Sequence, residues 1–455
     1  MDNTPNVIDR RNFMKLAAVG AVGAAVGGCG PQASRLAAKR DVPADKMTYR
    51  VDPKTGAGVS LLGFGMMRLP RVARAQRGSL PDTNDLDQEA INELVDYAIA
   101  HGVNLFDTSP AYCKGFSETA TGIALSRHDR SKYFISTKLS NQREWSREGS
   151  LNIYKRSFEY LRTDYIDYYL VHNVGTHDNF KGRYIDNGML DFLMAERDAG
   201  RIRSLGWSFH GEGEFFDYLM SGKYKWDFVL IQMNYLDWNK VIGRTSVNAR
   251  HQYETLMKMG VPAMIMEPLL GGRLAMPHYK ARELMTQADP GASAASWAFR
   301  FAGTFPNVLT VLSGMTFMDH LQDNIRTYAP LEPLMEEEYW MLEKVAEIAE
   351  QYRNINCTAC QYCMPCPYGL DIPGIITHFN RSLNEGNFPD DKQSVDYKRA
   401  RRAFLVGLDR GVAPIRQASR CTGCKECTKN CPQRIDIPGE MERIDRFTET
   451  LRLYV

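Results

Sequence analysis

Asn104-Leu-Phe-Asp-Thr-Ser-Pro-Ala-Tyr112 holds a strand, the end of that strand and a turn. Residues 104–106 form a short apolar run suited to a buried strand, and Asp107 falls where that strand should stop. Ser109 and Pro110 then turn the chain, so Tyr112 sits on a loop five residues after the carboxylate. Two later runs end in groups that complement this pair. Tyr133-Phe-Ile-Ser-Thr-Lys138 delivers an ammonium, and Tyr165-Ile-Asp-Tyr-Tyr-Leu-Val-His172 delivers an imidazole. An ammonium near a phenol favours the phenolate, and a carboxylate holds the ammonium in place, so the four side chains make a proton-donating set.

Outward from this stretch, strand-like and helical text alternate. Strands are predicted at 59–67, 104–108, 133–138, 165–172, 202–208, 228–235, 262–269 and 308–313, with helical patterns such as 88–100, 151–161, 247–259 and 292–301 between them. Eight strands alternating with helices, and chemistry at several strand ends, predict an α/β fold of the (β/α)8 TIM-barrel type. A doubly wound open sheet is the alternative, because strand order is not readable from sequence. Residues 70–87 form an irregular loop long enough to act as a lid over the strand ends.

Asp107, Tyr112, Lys138 and His172, in this order and on these strand ends, resemble the catalytic tetrad of the aldo-keto reductases. The resemblance covers residues 59 to 329 and is supported by Leu62-Gly-Phe-Gly-Met66, Ser117-Glu118, Ile202-Arg-Ser-Leu-Gly-Trp-Ser208, Gln232, Glu267-Pro-Leu269 and Asp323-Asn324. It implies an oxidoreductase acting on a carbonyl/alcohol pair, in which hydride leaves a reduced nicotinamide while Tyr112 protonates the carbonyl oxygen. Lys138 and His172 would tune or orient the tyrosine, and Asp107 would anchor Lys138. The resemblance also implies that Ser208 and Gln232 hold the nicotinamide amide, and that Gly271, Gly272, Gly314 and Asn324 meet the pyrophosphate and adenine ends of NAD(P).

The chain departs from that pattern in places. The usual Ser-Asn-Phe becomes Ser208-Phe209-His210, and Met266 stands where an aromatic commonly stacks on the nicotinamide. Leu312-Ser-Gly-Met315 stands where Lys or Arg would meet a 2′-phosphate; a thioether makes no charge-assisted bond, so no preference for NADP is expected. Cys113 replaces a usual glycine and reads as a small loop residue, and His210 reads as a loop histidine. Arg68 reads equally well as a solvated arginine or one that meets an anionic substrate.

The carboxy-terminal third carries the sharper signal. Cys357-Thr-Ala-Cys360-Gln-Tyr-Cys363-Met-Pro-Cys366-Pro367 is repeated as Cys421-Thr-Gly-Cys424-Lys-Glu-Cys427-Thr-Lys-Asn-Cys431-Pro432, and the repeat runs on through Asp371-Ile-Pro-Gly374 and Asp436-Ile-Pro-Gly439. Three thiolates at two-residue intervals can face one cubane, while a fourth before a proline can swing to the partner cluster. That rule gives Cys357, Cys360, Cys363 and Cys431 to one [4Fe–4S] cluster and Cys421, Cys424, Cys427 and Cys366 to the other. The first motif has two residues rather than three before its last cysteine, so the crossover of Cys366 stays open. Zinc and disulfides are the alternatives, but zinc modules usually carry two well-separated CxxC pairs. The region resembles the α-helical ferredoxins, and it narrows the resemblance to aldo-keto reductases with a carboxy-terminal iron–sulfur domain.

Of ten cysteines, eight follow residue 356, which speaks of ligands more than of a disulfide framework. A net charge of +2 carries no nucleic-acid footprint. Asp9-Arg-Arg-Asn-Phe-Met-Lys15 resembles a twin-arginine export motif, followed by a mild apolar run too short for an ordinary transmembrane helix and then by Val26-Gly-Gly-Cys29, which resembles a lipoprotein processing site. The expected organisation is a signal segment at 1–30, a linker and short hairpin at 31–58, a barrel at 59–333, a connecting helix at 334–356 and a two-cluster domain at 357–455. A periplasmic or other extracytoplasmic location follows, with Cys29 as a lipid anchor. Three functions are compatible with this: an exported carbonyl/alcohol oxidoreductase wired by its clusters to a redox partner protein, an electron-transfer or docking subunit whose barrel does no chemistry, or an enzyme whose clusters only staple the tail. No flavin motif bridges two-electron hydride chemistry to one-electron cubanes.

Overall fold

The computed structural model describes residues 41–72, 84–211, 213–238, 248–352, 354–389 and 391–453. The expected signal segment, Cys29 and the centre of the 70–87 loop lie outside these residues. The chain divides into two compact units, one comprising residues up to Pro268 together with Ser296–Leu334, the other Leu269–Ala295 together with the chain from Met335 onward.

The first unit begins with an antiparallel hairpin of β1 (Tyr49–Val51) and β2 (Gly58–Ser60). Eight strands follow: β3 (Leu62–Gly65), β4 (Leu105–Asp107), β5 (Phe134–Leu139), β6 (Ile166–Val174), β7 (Ile202–Phe209), β8 (Phe228–Gln232), β9 (Ala263–Met266) and β10 (Val308–Ser313). They pair in parallel, in sequence order, and β10 closes onto β3. The barrel is closed, and the open sheet is ruled out. All eight lie where the sequence predicts strands, because strands covered on both faces read as near-continuous apolar runs. Inside, Leu105, Tyr168, Leu170, Phe228, Leu230, Met264, Leu309 and Leu312 pack as one cluster. The Tyr168 hydroxyl donates to Asp52 in the hairpin at 2.9 Å, tying β1 and β2 to the barrel interior.

The helix Gln88–Ala100 has the bounds expected from sequence; Asp87 caps it by accepting from the Ala90 N–H. The described ends of the 70–87 loop form a short antiparallel pairing, with Val72 N–H donating to Asp85 O at 3.0 Å and Arg71 ion-paired to Asp85. At the end of β6 the ladder to β7 slips between Val171 and Val174, and Asn173 takes a left-handed φ of 52°. That irregularity detaches the His172 and Asn173 carbonyls from regular pairing.

The second unit is helical. Its helices Tyr279–Ala288 and Glu336–Gln351 pack together, with His278 stacked on Tyr352 at 3.9 Å and Lys280 Nζ donating to the Tyr352 hydroxyl at 2.7 Å. Helices Ile372–Asn384, Tyr397–Gly411 and Ile437–Leu453 surround an apolar core of Ile375, Phe379, Phe404, Met441 and Ile444. The duplication is legible in its caps. A Cβ on Gly374 or Gly439 would lie 2.5 or 2.6 Å from the carboxylate of Asp371 or Asp436, so both copies need glycine where the aspartate curls over the helix start. Among the described residues no helix is long and apolar enough to cross a membrane.

Candidate active site and cluster loops

The barrel brings Asp107, Tyr112, Lys138 and His172 together at the carboxyl ends of β4, β5 and β6 and the loop after β4. Lys138 is 1% exposed, and its ammonium donates to Asp107 Oδ1 at 2.6 Å, Asp107 Oδ2 at 2.7 Å and the Thr108 carbonyl at 2.8 Å. Ser136 donates to the same carboxylate at 2.7 Å. All three ammonium protons therefore have protein acceptors, and the charge is fixed in place. It lies 5.0 Å from the centre of the Tyr112 ring. Burial pulls the lysine below its ordinary pKa, and Asp107 pulls it back up.

His172 meets the Tyr112 ring edge-on, with 6.3 Å between ring centres. Burial, then the charges of Lys138, His210 and Arg183, hold its pKa well below the ordinary value, so it is a neutral imidazole. Its Nδ1 lies 2.6 Å from Ser140 Oγ and 3.1 Å from Gln142 Nε2. An amide nitrogen only donates, so Nδ1 accepts and the ring proton sits on Nε2. An oriented chain supports this tautomer: Ala111 N–H donates to Ser109 Oγ, Ser109 reaches Ser140 at 2.7 Å, and Ser140 reaches the ring.

Three residues here have no functional role in the sequence analysis, where His210 reads as a loop histidine and Glu118 only supports the family resemblance. Arg183 is fully buried and donates to the His172 carbonyl at 2.8 Å, the Asn173 carbonyl at 3.1 Å, Asn141 Oδ1 at 3.0 Å and Asn179 Oδ1 at 2.8 Å. It satisfies the carbonyls released by the β6 irregularity, and nothing local in sequence marks it. His210 is half-buried just past β7, held to about 4 by burial and by Lys138. Its signal was available: it is two residues after Ser208, and alternate strand residues share a face. Glu118 is buried with Thr137 donating to it at 2.6 Å, and burial pushes its carboxyl up to about 7.

The expected nucleotide residues divide. Ser208 accepts the Asn173 N–H at 2.7 Å, and the Gln232 amide donates to Asp237 at 2.8 Å. Among the described residues this leaves a hydroxyl proton on Ser208 and a carbonyl oxygen on Gln232, one donor and one acceptor, which complement a primary carboxamide such as that of nicotinamide. Asn324 donates to Ser313 at the end of β10, and Gly314 lets the chain pass Arg68, whose side chain would be 3.1 Å from an added Cβ. Gly271 and Gly272 lie in the second unit. Gly271 has φ 68°, and an added Cβ would lie 2.4 Å from the Thr358 carbonyl oxygen, so its absence of side chain serves the close approach to the first cysteine loop.

In that unit Cys357, Cys360, Cys363 and Cys431 line one recess, together with Ile372, Ile376 and Ile437. Burial, then the neighbouring Cys360, Cys357, Cys431 and Cys427, pushes the Cys363 thiol up. Burial, then Cys424 and Cys366 among its neighbours, does the same to Cys427. Cys431 thus shares the recess of the first loop. Soft cysteine sulfurs grouped in this way suit iron–sulfur centres.

Residues 61–347 match the model of the aldo/keto reductase family, and residues 356–436 match a 4Fe-4S dicluster domain. Relatives include D-arabinose 1-dehydrogenase of Saccharomyces cerevisiae, 35% identical over 133 residues, covering 28% of this chain and 36% of that protein. The NADH-specific methylglyoxal reductase of Escherichia coli is 30% identical over 141 residues, covering 27% of this chain and 42% of that protein. An aldo-keto reductase of Mycobacterium sp. is 32% identical over 144 residues, and half of its length is covered, together with 31% of this chain. The chain spans between about a third and a half of the length of these curated relatives. An aldo-keto reductase from Bacillus halodurans in its holo form shares the fold, with a TM-score of 0.53 at 21% identity over 66% of this chain and 96% of that one.

Proposed function

The chain belongs to the aldo/keto reductase family and carries a 4Fe-4S dicluster domain, and from that premise we propose an exported oxidoreductase that interconverts a small carbonyl and its alcohol with a nicotinamide nucleotide. The observation that carries this reading is the convergence of Asp107, Tyr112, Lys138 and His172 at three adjacent strand ends. Bound nicotinamide would supply or accept hydride. Tyr112 gives a proton to the substrate oxygen, and the fixed charge of Lys138 stabilises the negative charge left on the phenol oxygen. His172, neutral with its proton on Nε2, donates to the same substrate oxygen and orients it. Ser208 and Gln232 would hold the carboxamide, and Gly314 and Asn324 would line the far end of the nucleotide. The two cysteine groups would hold [4Fe–4S] clusters, Cys357, Cys360, Cys363 and Cys431 one and Cys366, Cys421, Cys424 and Cys427 the other, exchanging single electrons with a partner protein.

Residues 1–30 would act as a twin-arginine signal that exports the folded protein with its metal in place, and Cys29 would carry lipid. Cell fractionation after substitution of Arg10 and Arg11 tests this; retention of the protein in the cytoplasm is expected. The test of the chemistry is Tyr112→Phe, assayed on a panel of small aldehydes and ketones. Turnover should fall by about a hundredfold or more while the iron–sulfur spectrum stays unchanged. Unchanged turnover would remove Tyr112 from the chemistry; no turnover by the unsubstituted protein, together with no nucleotide extractable after anaerobic purification, would leave the barrel as a docking body.

A further inference from the structure

The two cysteine loops differ in exposure and charge. Residues 354–370, which carry Cys357, Cys360, Cys363 and Cys366, contain no acidic or basic side chain. Residues 410–434, which carry Cys421, Cys424, Cys427 and Cys431, contain Arg410, Arg416, Arg420, Lys425, Lys429 and Arg434 against the single acid Glu426. Glu426 is taken by Lys429 at 2.7 Å. Arg410, Arg420 and Lys425 are exposed and have no ion-pair partner among the described residues. Cys424 is itself exposed, on a loop turned outward by left-handed residues at Gly423 and Lys425. The same helical unit carries two exposed apolar side chains, Tyr368 at 52% and Ile415 at 72%. They sit on the two segments that Arg416 ties together, its Nε donating to Gly369 O at 3.2 Å and its carbonyl accepting from Asp371 N–H at 3.0 Å.

An exposed cysteine flanked in the chain by exposed basic side chains without acidic partners among the described residues has the make-up of a transient electron-transfer contact. We propose that the face around Cys421–Cys427 docks an acidic one-electron carrier protein of the ferredoxin or flavodoxin class. The proposal rests on the reading that the cysteines hold redox-active clusters. One electron crosses at this face, the carrier being oxidised by one as the site bounded by Cys366, Cys421, Cys424 and Cys427 is reduced by one, and no bond forms or breaks. The charge favours an acidic protein by steering its approach, and such attraction weakens as salt shortens the range of the field.

The test uses the full cluster-loaded chain under anaerobic conditions. Calorimetric titration with a strongly acidic plant-type ferredoxin should show binding that weakens by about tenfold or more between about 20 mM and about 300 mM salt. The triple variant Arg410→Glu, Arg420→Glu, Lys425→Glu should lose about tenfold in affinity, with iron content and reduced electron-paramagnetic-resonance signals unchanged, and should gain affinity for basic cytochrome c. Loaded, dithionite-reducible protein whose ferredoxin binding is absent, salt-independent or untouched by the triple variant overturns the docking proposal alone. Tighter capture by phosphatidylglycerol vesicles, displacing ferredoxin, overturns it in favour of a membrane surface. Protein without an iron–sulfur chromophore overturns both the proposal and the reading beneath it.

Discussion

The Arg183 guanidinium donates to the main-chain carbonyl of His172 at 2.8 Å, so the imidazole at the centre of the candidate site is held from behind by a buried cation. Replacing Arg183 with Met would leave the Asn173 carbonyl and two asparagine oxygens without their donor, and the His172 carbonyl with the Tyr184 hydroxyl alone. A loss of about 2–4 kcal/mol in stability is expected, because buried acceptors lose their desolvation compensation. Carbonyl reduction should fall through kcat more than KM, since the misplaced His172 acts on the reacting oxygen. Urea denaturation and steady-state kinetics check both, and an unchanged kcat would refute the positioning role.

Asp107 and Lys138 form a buried pair, and each is expensive to leave alone. Asp107→Asn should destabilise the barrel by about 3–5 kcal/mol, as should Lys138→Met, because either leaves one buried charge without its counter-charge. The double variant should lose less than the sum, with a coupling of about 1–3 kcal/mol. Additive losses in a double-mutant cycle would show that the pair contributes nothing as a pair.

Glu118 gives the stability a pH dependence. Its carboxyl is raised from the usual 4.5 to about 7, so the folded protein holds this proton more tightly than the unfolded chain. That stabilisation is complete below about pH 4.5 and is lost as pH rises through about 7. Glu118→Gln should therefore gain on the parent between pH 5 and pH 8, by up to about 3 kcal/mol. Melting curves of both proteins across that range check the sign; a constant difference would exclude the shift.

The crossing of the cysteines predicts an iron count. Cys357→Ser and Cys431→Ser should each lose about four irons, and the double variant no more than either one, because both serve one cluster. Cys357→Ser combined with Cys366→Ser should lose about eight. The opposite pattern in iron analysis would place Cys431 with its own loop.

Gly271→Ala separates two roles for one glycine. The positive φ and the 2.4 Å approach to Thr358 predict a loss of about 2 kcal/mol or more and a depleted first cluster. A loss confined to nucleotide affinity would support the pyrophosphate role that the family resemblance implies.

Much of this was readable in the chain. The strands are apolar runs of the right length, the four polar strand-end residues stand in family order, and the cysteine spacing is a ligand pattern in itself. What stayed hidden depends on distance through space. Arg183 lies in a short helical turn, Lys181–Ile185, after β6, and its value comes from a ladder irregularity no periodicity announces. The Ser109–Ser140 chain joins two strands whose pairing had to be seen. The helix Tyr279–Ala288 is of the same kind: it buries Ala281 and Met285, and nothing in its own residues names what it packs against.

That partner bears on how the protein can be taken apart. Leu269–Ala295 lies between β9 and β10 in the chain yet belongs with the cysteine-bearing helices. Truncation after Leu334 would strand this segment, with Gly271, Ala281 and Met285 stripped of what they pack against. The gene has no clean seam there: the reductase-like half and the metal-binding half are interleaved, and anyone wishing to study either in isolation must rebuild the connection as well as cut it.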